Sequence, residues 1–314
     1  MSESQISELA PVLVVFFNRP DKLAKVIESL EQAKVTNIFF AGDGPRNEKD
    51  KSLVQECQRM IIEKFPNIPR ENLRFNEINQ GCRVAVSNAI EWFFSKVDQG
   101  IILEDDCLPG PKFFEYLSSA LKIYSSDRRV FSISATNPIK SKRQELHTYL
   151  SIYPQIWGWA TWSERWKLYQ RDFYDVDSLI EKVLNGHLRD WNYLDRVKFK
   201  MVWKPILKNA GAGKIDTWDY SMLATMWRNN FMAVQSSGNF IVNLGFSNSA
   251  THTTKAPKWA PREYWPNSQN SMPELRPNSD LDLLLSKEVY NCTSIQLAKY
   301  YIRLVIKKIG IGSK

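Results

Sequence analysis

Apolar and polar positions along the first 135 residues fall into two alternating kinds of segment. Pro11–Phe17 (PVLVVFF), Ile38–Ala41 (IFFA), Ile101–Leu103 and Val130–Ser134 are short and apolar nearly throughout, as expected of strands covered on both faces. Asn72–Phe75 is a weaker strand candidate. Between them lie stretches with apolar residues at helical spacing: Leu23, Val26, Ile27 and Leu30; Leu53, Cys57, Met60 and Ile61; Val86, Ala89, Ile90 and Phe93; and a further helix over Pro111–Tyr124. Strand and helix in regular alternation predict parallel strands joined by right-handed crossovers, an α/β fold of nucleotide-binding type.

The second half changes character. Trp157-Gly158-Trp159-Ala160-Thr161-Trp162 and Arg165-Trp166 crowd four indoles around one glycine. They suit either a core corner or the floor of a sugar site, since indole faces stack on the C–H faces of pyranoses. A loop at Gly211–Lys214 leads to Asp216-Thr217-Trp218-Asp219, and the helical pattern of Tyr220–Trp227 puts Asp219 at a helix N-terminus, where capping is the plainest role. Lys255–Pro277 is rich in Pro, Asn and Trp and reads as an irregular wrap or linker. Ile295, Ala298, Ile302, Val305 and Ile309 line one helical face, with Lys299, Arg303 and Lys307 on another. Such a basic amphipathic helix fits an anionic membrane surface, or packing on the domain or on a second subunit.

The loops carry the candidate chemistry. Ile101-Ile102-Leu103 runs straight into Glu104-Asp105-Asp106, followed by the breakers Pro109 and Gly110. Three adjacent carboxylates repel one another unless a positive charge sits among them. They fall at the carboxyl end of a buried strand, where open α/β sheets bind ligands. A divalent cation carrying a polyphosphate is the simplest resident. Neither G-x-G-x-x-G nor G-x-x-x-x-G-K occurs, so phosphate must be met another way.

The net charge of +8 suits a polyanionic partner, yet no nucleic-acid-binding motif accompanies it, and nucleic acid is not expected as a partner. Cys57, Cys82, Cys107 and Cys292 are scattered, without metal-type spacing, and read as reduced thiols of a cytosolic protein. Met1–Ala10 is polar and does not read as a signal peptide. No apolar run reaches the roughly 18–20 residues of a membrane span.

Together these motifs resemble metal-dependent glycosyltransferases of the GT-A fold. The chain is most similar to bacterial enzymes of polysaccharide assembly and, more distantly, to the Golgi N-acetylglucosaminyltransferase I group. The resemblance rests on Phe17-Asn18-Arg19-Pro20, Gly42-Asp43-Gly44, Asn79-Gln80-Gly81-Cys82-Arg83, Leu103-Glu104-Asp105-Asp106 with Phe113-Phe114-Glu115-Tyr116, the W-G-W-A-T-W run, and Trp218-Asp219. It implies a Rossmann-like catalytic domain over 1–255 with a mostly parallel central sheet. The nucleotide half spans about 11–135 and the acceptor half about 136–255. A wrap or linker at 256–290 and a helix at 291–314 follow.

What the resemblance implies can be placed residue by residue. Asp106 is the expected ligand of Mn²⁺ or Mg²⁺, with His252 a further metal or phosphate contact. Asp105 is expected at the ribose, Glu104 at the donor sugar, Asp43 at the base edge and Arg19 near the pyrophosphate. Arg83 and Trp159 are also expected at the nucleotide sugar. Asp219 is the expected base of an inverting displacement. The W-D-D-W context of the Golgi group has lost its second acid at Tyr220, which leaves Asp216 as an alternative. The implied activity is transfer from a nucleotide-diphosphate sugar to a glycan or lipid-linked saccharide in surface polysaccharide synthesis, at the cytoplasmic face of the inner membrane. Two rival readings are a sugar-1-phosphate nucleotidylyltransferase and a catalytically inactive glycan- or membrane-binding protein.

Overall fold

A computed structural model of the chain describes residues 8–139, 147–246, 256–264 and 274–298. The nucleotide half follows the expected alternation: β1 (Val12–Phe16), α1 (Pro20–Gln32), β2 (Ile38–Gly42), α2 (Glu48–Lys64), β3 (Leu73–Phe75), α3 (Cys82–Phe94), β4 (Gln99–Glu104), β5 (Cys107–Pro109), α4 (Phe113–Tyr124) and β6 (Val130–Ser134). Then come β7 (Tyr149–Ser151), β8 (Trp159–Trp162), α5 (Ser163–Trp166), α6 (Val176–Asn185), α7 (Tyr193–Gly211), α8 (Asp219–Arg228), β9 (Met232–Gln235), β10 (Ile241–Asn243) and α9 (Ser279–Glu288). The stretch 256–290, expected as an irregular wrap, therefore contains a ten-residue helix capped by the Asn278 side chain.

The described strands form an eight-stranded sheet in the order β3-β2-β1-β4-β8-β6-β9-β7, with β8 and β7 running against the other six. This mostly parallel sheet between helices is the α/β plan expected of a GT-A fold. Successive residues of a strand point to opposite faces, and here both faces are covered. Val12, Val14, Phe16, Phe40 and Leu103 pack with α1, α2 and α4, while Leu13, Val15, Phe39 and Ile102 pack with α3 and the helices of the second half. Two-sided burial is why these strands read as apolar runs without alternation.

Strand register assembles the loops. Phe16 lies opposite Gly42 and Val15 opposite Glu104. The segments leaving β1, β2 and β4, which carry Arg19, Asp43 and the E-D-D triplet, therefore emerge along one edge of the sheet. A second, two-stranded sheet pairs β5 with β10, Cys107 opposite Asn243. It brings the chain after β10 back over Asp106, whose carbonyl accepts from Leu244 N at 2.7 Å. No described helix is long and apolar enough to cross a membrane.

Candidate active site

The edge where β1, β2 and β4 end opens into a cavity of about 660 Å³. Arg19, Asp43, Glu104, Asp105, Asp106, Asp216 and Asp219 all line it. Sequence-separated acids therefore meet in one space.

The positive charge among the three acids is Arg19. Its guanidinium forks between Asp105 and Asp106, donating Nη2–H to Asp105 Oδ1 and Nη1–H to Asp106 Oδ2, the latter at 2.6 Å. Asp105 is wholly buried, and its second oxygen accepts Phe17 N at 3.0 Å. Both Asp105 oxygens are thus engaged by the segment that follows β1, at the floor of the cavity. Burial pushes the carboxyls of Glu104 and Asp105 up. For Glu104 the neighbouring Asp106 adds to the rise, with Asp219 a lesser contributor, and Arg19 opposes it. Burial pulls the Arg19 guanidinium down, but the fields of Asp105 and Asp106 override it and hold Arg19 firmly protonated.

Asp106 has a different setting. Oδ2 faces Arg19, while Oδ1 has only long contacts, with Asn243 Nδ2 at 3.4 Å and Cys107 Sγ at 3.6 Å. No group of three or more His, Cys, Asp or Glu among the described residues is arranged to enclose a metal ion. The donor set is one loosely engaged carboxylate oxygen in a cluster where Arg19 offsets one of three acids. That suits a hard divalent cation taking its remaining ligands from substrate phosphates and water. His252, the other expected metal ligand, lies outside the described residues.

Asp43 sits at the end of β2, and its carboxylate holds the loop at 76–81. It accepts Asn79 Nδ2 at 2.9 Å, Gln80 N at 3.0 Å and Gly81 N at 3.1 Å, along with Gly44 N at 2.9 Å. Its lone pairs are engaged by its own chain, so Asp43 shapes the loop rather than presenting a free acceptor to a base edge. Arg83 is turned away from the cavity. Its guanidinium donates to Arg171 O at 2.6 Å and to Asp172 Oδ1 at 2.9 Å. Arg83, expected at the nucleotide sugar, is not among the residues that line the cavity.

Asp216, the alternative base, spans the two halves. α3 is preceded by Gly81 at its N-cap, whose φ of 78° lies in the left-handed region that glycine tolerates, and no local side chain caps the helix. Asp216 supplies the cap from a distant loop, accepting Cys82 N at 3.1 Å and Arg83 N at 2.9 Å. Asp219 is the first residue of α8. Its Oδ1 accepts from the Thr217 hydroxyl and, at 2.9 Å, from Tyr220 N.

Trp159 is 1% exposed, does not line the cavity, and stacks on Trp218 with centroids 5.5 Å apart and planes 20° apart. It packs on the residue before Asp219. Of the W-G-W-A-T-W run, it is Trp157 that reaches the cavity. There it meets Trp259, while Phe246, Tyr290 and Gln155 line nearby wall. Trp259 and Tyr290 lie beyond residue 255, so the cavity draws on segments expected to be peripheral. No protein-family model and no curated protein matches the chain. Among solved structures, the apo form of the bifunctional glycosyltransferase WbbM aligns over 73% of this chain and 39% of its own, at 10% identity and a TM-score of 0.33. The chain thus spans well under half of that protein, and a likeness this remote carries no argument about activity.

Proposed function

We propose that the protein is an inverting, metal-dependent glycosyltransferase that uses a UDP-sugar. The observation that carries this reading is the one cavity lined both by the E-D-D acids at the end of β4 and by Asp219 at the start of α8. Splitting a nucleotide-diphosphate sugar leaves charge on the diphosphate, and capturing the sugar requires that an acceptor hydroxyl lose its proton. The E-D-D acids and Asp219 are suited to those two demands.

Asp106 would hold Mn²⁺ or Mg²⁺, which when bound would supply positive charge to the leaving diphosphate. Arg19 fixes the Asp106 carboxylate and adds its own charge beside it. Asp219 takes the acceptor proton as the hydroxyl oxygen bonds to the anomeric carbon and the bond to the diphosphate oxygen breaks; one displacement inverts that carbon. Thr217 and Tyr220 N orient the Asp219 carboxylate, and Asp216 serves as the cap of α3.

On this reading the transferred unit is a hexosyl or N-acetylhexosaminyl group and the acceptor a glycan or lipid-linked saccharide. The protein would be a peripheral enzyme of polysaccharide synthesis; the expected basic helix at 291–314 lies, from residue 299 on, outside the described residues. The test follows UDP release from UDP-sugars with Mn²⁺. Asp219→Asn should lower turnover by about 10²–10⁴-fold, the usual worth of a general base, while donor binding persists. Unchanged turnover in that variant overturns the assignment.

A further inference from the structure

Four of the cavity's residues come from outside the loops that follow β1, β2 and β4. Gln155 precedes β8, Trp203 lies on α7, Tyr220 on α8 and Tyr290 just after α9, and all four line the space. They adjoin one another. The Trp203 ring stands 4.9 Å from that of Tyr290 and 6.2 Å from that of Tyr220, centroid to centroid, and Gln155 Nε2 donates to the Tyr290 hydroxyl at 3.4 Å. Tyr290 is held there by α9, which Asp282 ties to Ser151 and Ile152 N, and by the Tyr153 ring 4.5 Å away. Tyr220 directly follows Asp219 in the first turn of α8. Burial pushes the hydroxyl of Tyr220 up to about 12 and that of Tyr290 well up, and the charge of Asp219 adds to both rises. Both phenols are therefore protonated and both feel Asp219. Trp203 is 1% exposed, and its indole N–H has no hydrogen-bond partner among the described residues. A buried indole N–H ordinarily finds one.

We infer that Gln155, Trp203, Tyr220 and Tyr290 form the subsite for the acceptor's sugar ring, with the Trp203 indole N–H donating to one of its hydroxyls. This deepens the glycosyltransferase reading and rests on it. A pyranose combines an apolar C–H face, which suits aromatic rings, with a rim of hydroxyls that both accept and donate. Those hydroxyls can take the indole N–H and the phenol protons and can donate to the Gln155 amide oxygen. A hydrocarbon chain in the same place would leave the indole N–H, the phenols and the amide facing apolar groups, which is costly for polar atoms removed from water. The ring is assigned to the acceptor because the group adjoins Asp219, which must meet the attacking hydroxyl, and because none of it comes from the loops that carry Arg19 and the E-D-D acids.

The test uses the full-length protein with UDP and Mg²⁺, and measures binding of methyl hexopyranosides, methyl N-acetylhexosaminides and geranyl phosphate by saturation-transfer NMR. Calorimetry measures the affinities for UDP and UDP-sugars alongside. Trp203→Phe keeps a ring and removes the N–H; it should weaken the methyl glycosides about 3–10-fold, the worth of one hydrogen bond. Tyr290→Phe, which keeps the ring and removes only the hydroxyl, should do the same and serves if the buried Trp203 site does not tolerate change. Neither variant should alter the affinity for UDP or the ratio of UDP-sugar to UDP affinity. No glycoside binding by a protein that binds UDP, or glycoside binding indifferent to both variants, overturns the inference alone. So does geranyl phosphate binding more tightly than the glycosides, which makes the occupant a hydrocarbon, or a fall in the UDP-sugar to UDP ratio, which makes it the donor's own sugar. Failure to bind UDP or any UDP-sugar, with or without metal, overturns the underlying reading and the inference with it.

Discussion

Replacing Arg19 by methionine removes the only cation in contact with Asp105 and Asp106 among the described residues, while keeping most of the side-chain volume. The Arg19 side chain is 16% exposed, and its partners are 0% and 9% exposed, so both carboxylates are left in a largely dry setting. Breaking a buried ion pair by deleting one partner costs about 3–5 kcal/mol. A second route gives a similar figure. A stranded carboxylate can escape by protonating, and holding an ordinary carboxyl neutral at pH 7 costs about 4 kcal/mol at 1.4 kcal/mol per pH unit. We expect Arg19→Met to lose about 4 kcal/mol, or about 8 °C in Tm at roughly 2 °C per kcal/mol for a chain of this length.

The sign of the pH dependence follows. Without Arg19 the native Asp105 carboxyl, already raised by burial, sits still higher above its unfolded value, so the variant's deficit is largest at neutral pH and shrinks as pH falls and it takes up a proton. Urea denaturation of parent and variant at pH 5 and pH 7 measures this. Lys200→Met, which removes a half-exposed partner of Glu181, should cost under about 1 kcal/mol and serves as the surface control. A deficit for Arg19→Met as small as the control's, or one that does not shrink on acidification, refutes the buried-fork account.

Three further outcomes are expected. Asp282 on α9 is buried, and its carboxyl is pushed up to about 7 while accepting from Ser151 Oγ at 2.5 Å and Ile152 N at 3.2 Å. Its stabilising contribution is fully present below the unfolded value near 4 and declines by up to about 4 kcal/mol as pH rises through 7. Asp282→Asn should flatten the stability profile over that window, and an unchanged slope in denaturation titrations would contradict this. A Cβ at Gly245 would stand 2.2 Å from Asp106 Oδ2 and 2.8 Å from Asn243 Oδ1. Gly245→Ala should therefore displace the Asp106 carboxylate and reduce metal-supported donor affinity by at least about 10-fold, with about 1–3 kcal/mol of overpacking cost; unaltered calorimetric affinity counts against it. Asp216→Ala should cost about 0.5–2 kcal/mol as a lost cap of α3 while UDP release from the sugar donor stays within about 10-fold; full loss of turnover with donor binding retained would move the base to Asp216.

The parts legible in the sequence are those that local patterning determines. A strand buried on both faces loses its polar alternation, so Ile101–Leu103 and the acids that follow it stand out without any knowledge of neighbours. Asp219 is legible for a similar reason, as an acid directly before a helical pattern. What the sequence hides is pairing across distance. The acids call for a positive charge, and the structure supplies Arg19 from the end of β1, a partner set by the register of Val15 with Glu104. Asp216 caps a helix 134 residues away in the chain, and nothing near either residue announces it. Trp157 and Trp159 are neighbours with the same composition around them, yet one reaches the cavity and the other supports Trp218 from beneath. Trp157 lies before β8 and is set off from Trp159 by the left-handed Gly158, so their roles divide only once the local backbone is known. Trp259 and Tyr290 escape notice because a Pro- and Asn-rich stretch looks peripheral until it folds back onto the site.

The central claim is that Asp106 and a divalent cation hold a UDP-sugar in this cavity. Thermal melts of the parent and of Asp106→Asn, each with a panel of UDP-sugars in the presence and absence of Mn²⁺, test it most directly. A donor at 100 times its dissociation constant should stabilise the parent by about 2.7 kcal/mol, only when Mn²⁺ is present, and Asp106→Asn should lose that shift. Donor-induced stabilisation that is indifferent to Mn²⁺, or retained in full by Asp106→Asn, would contradict the account.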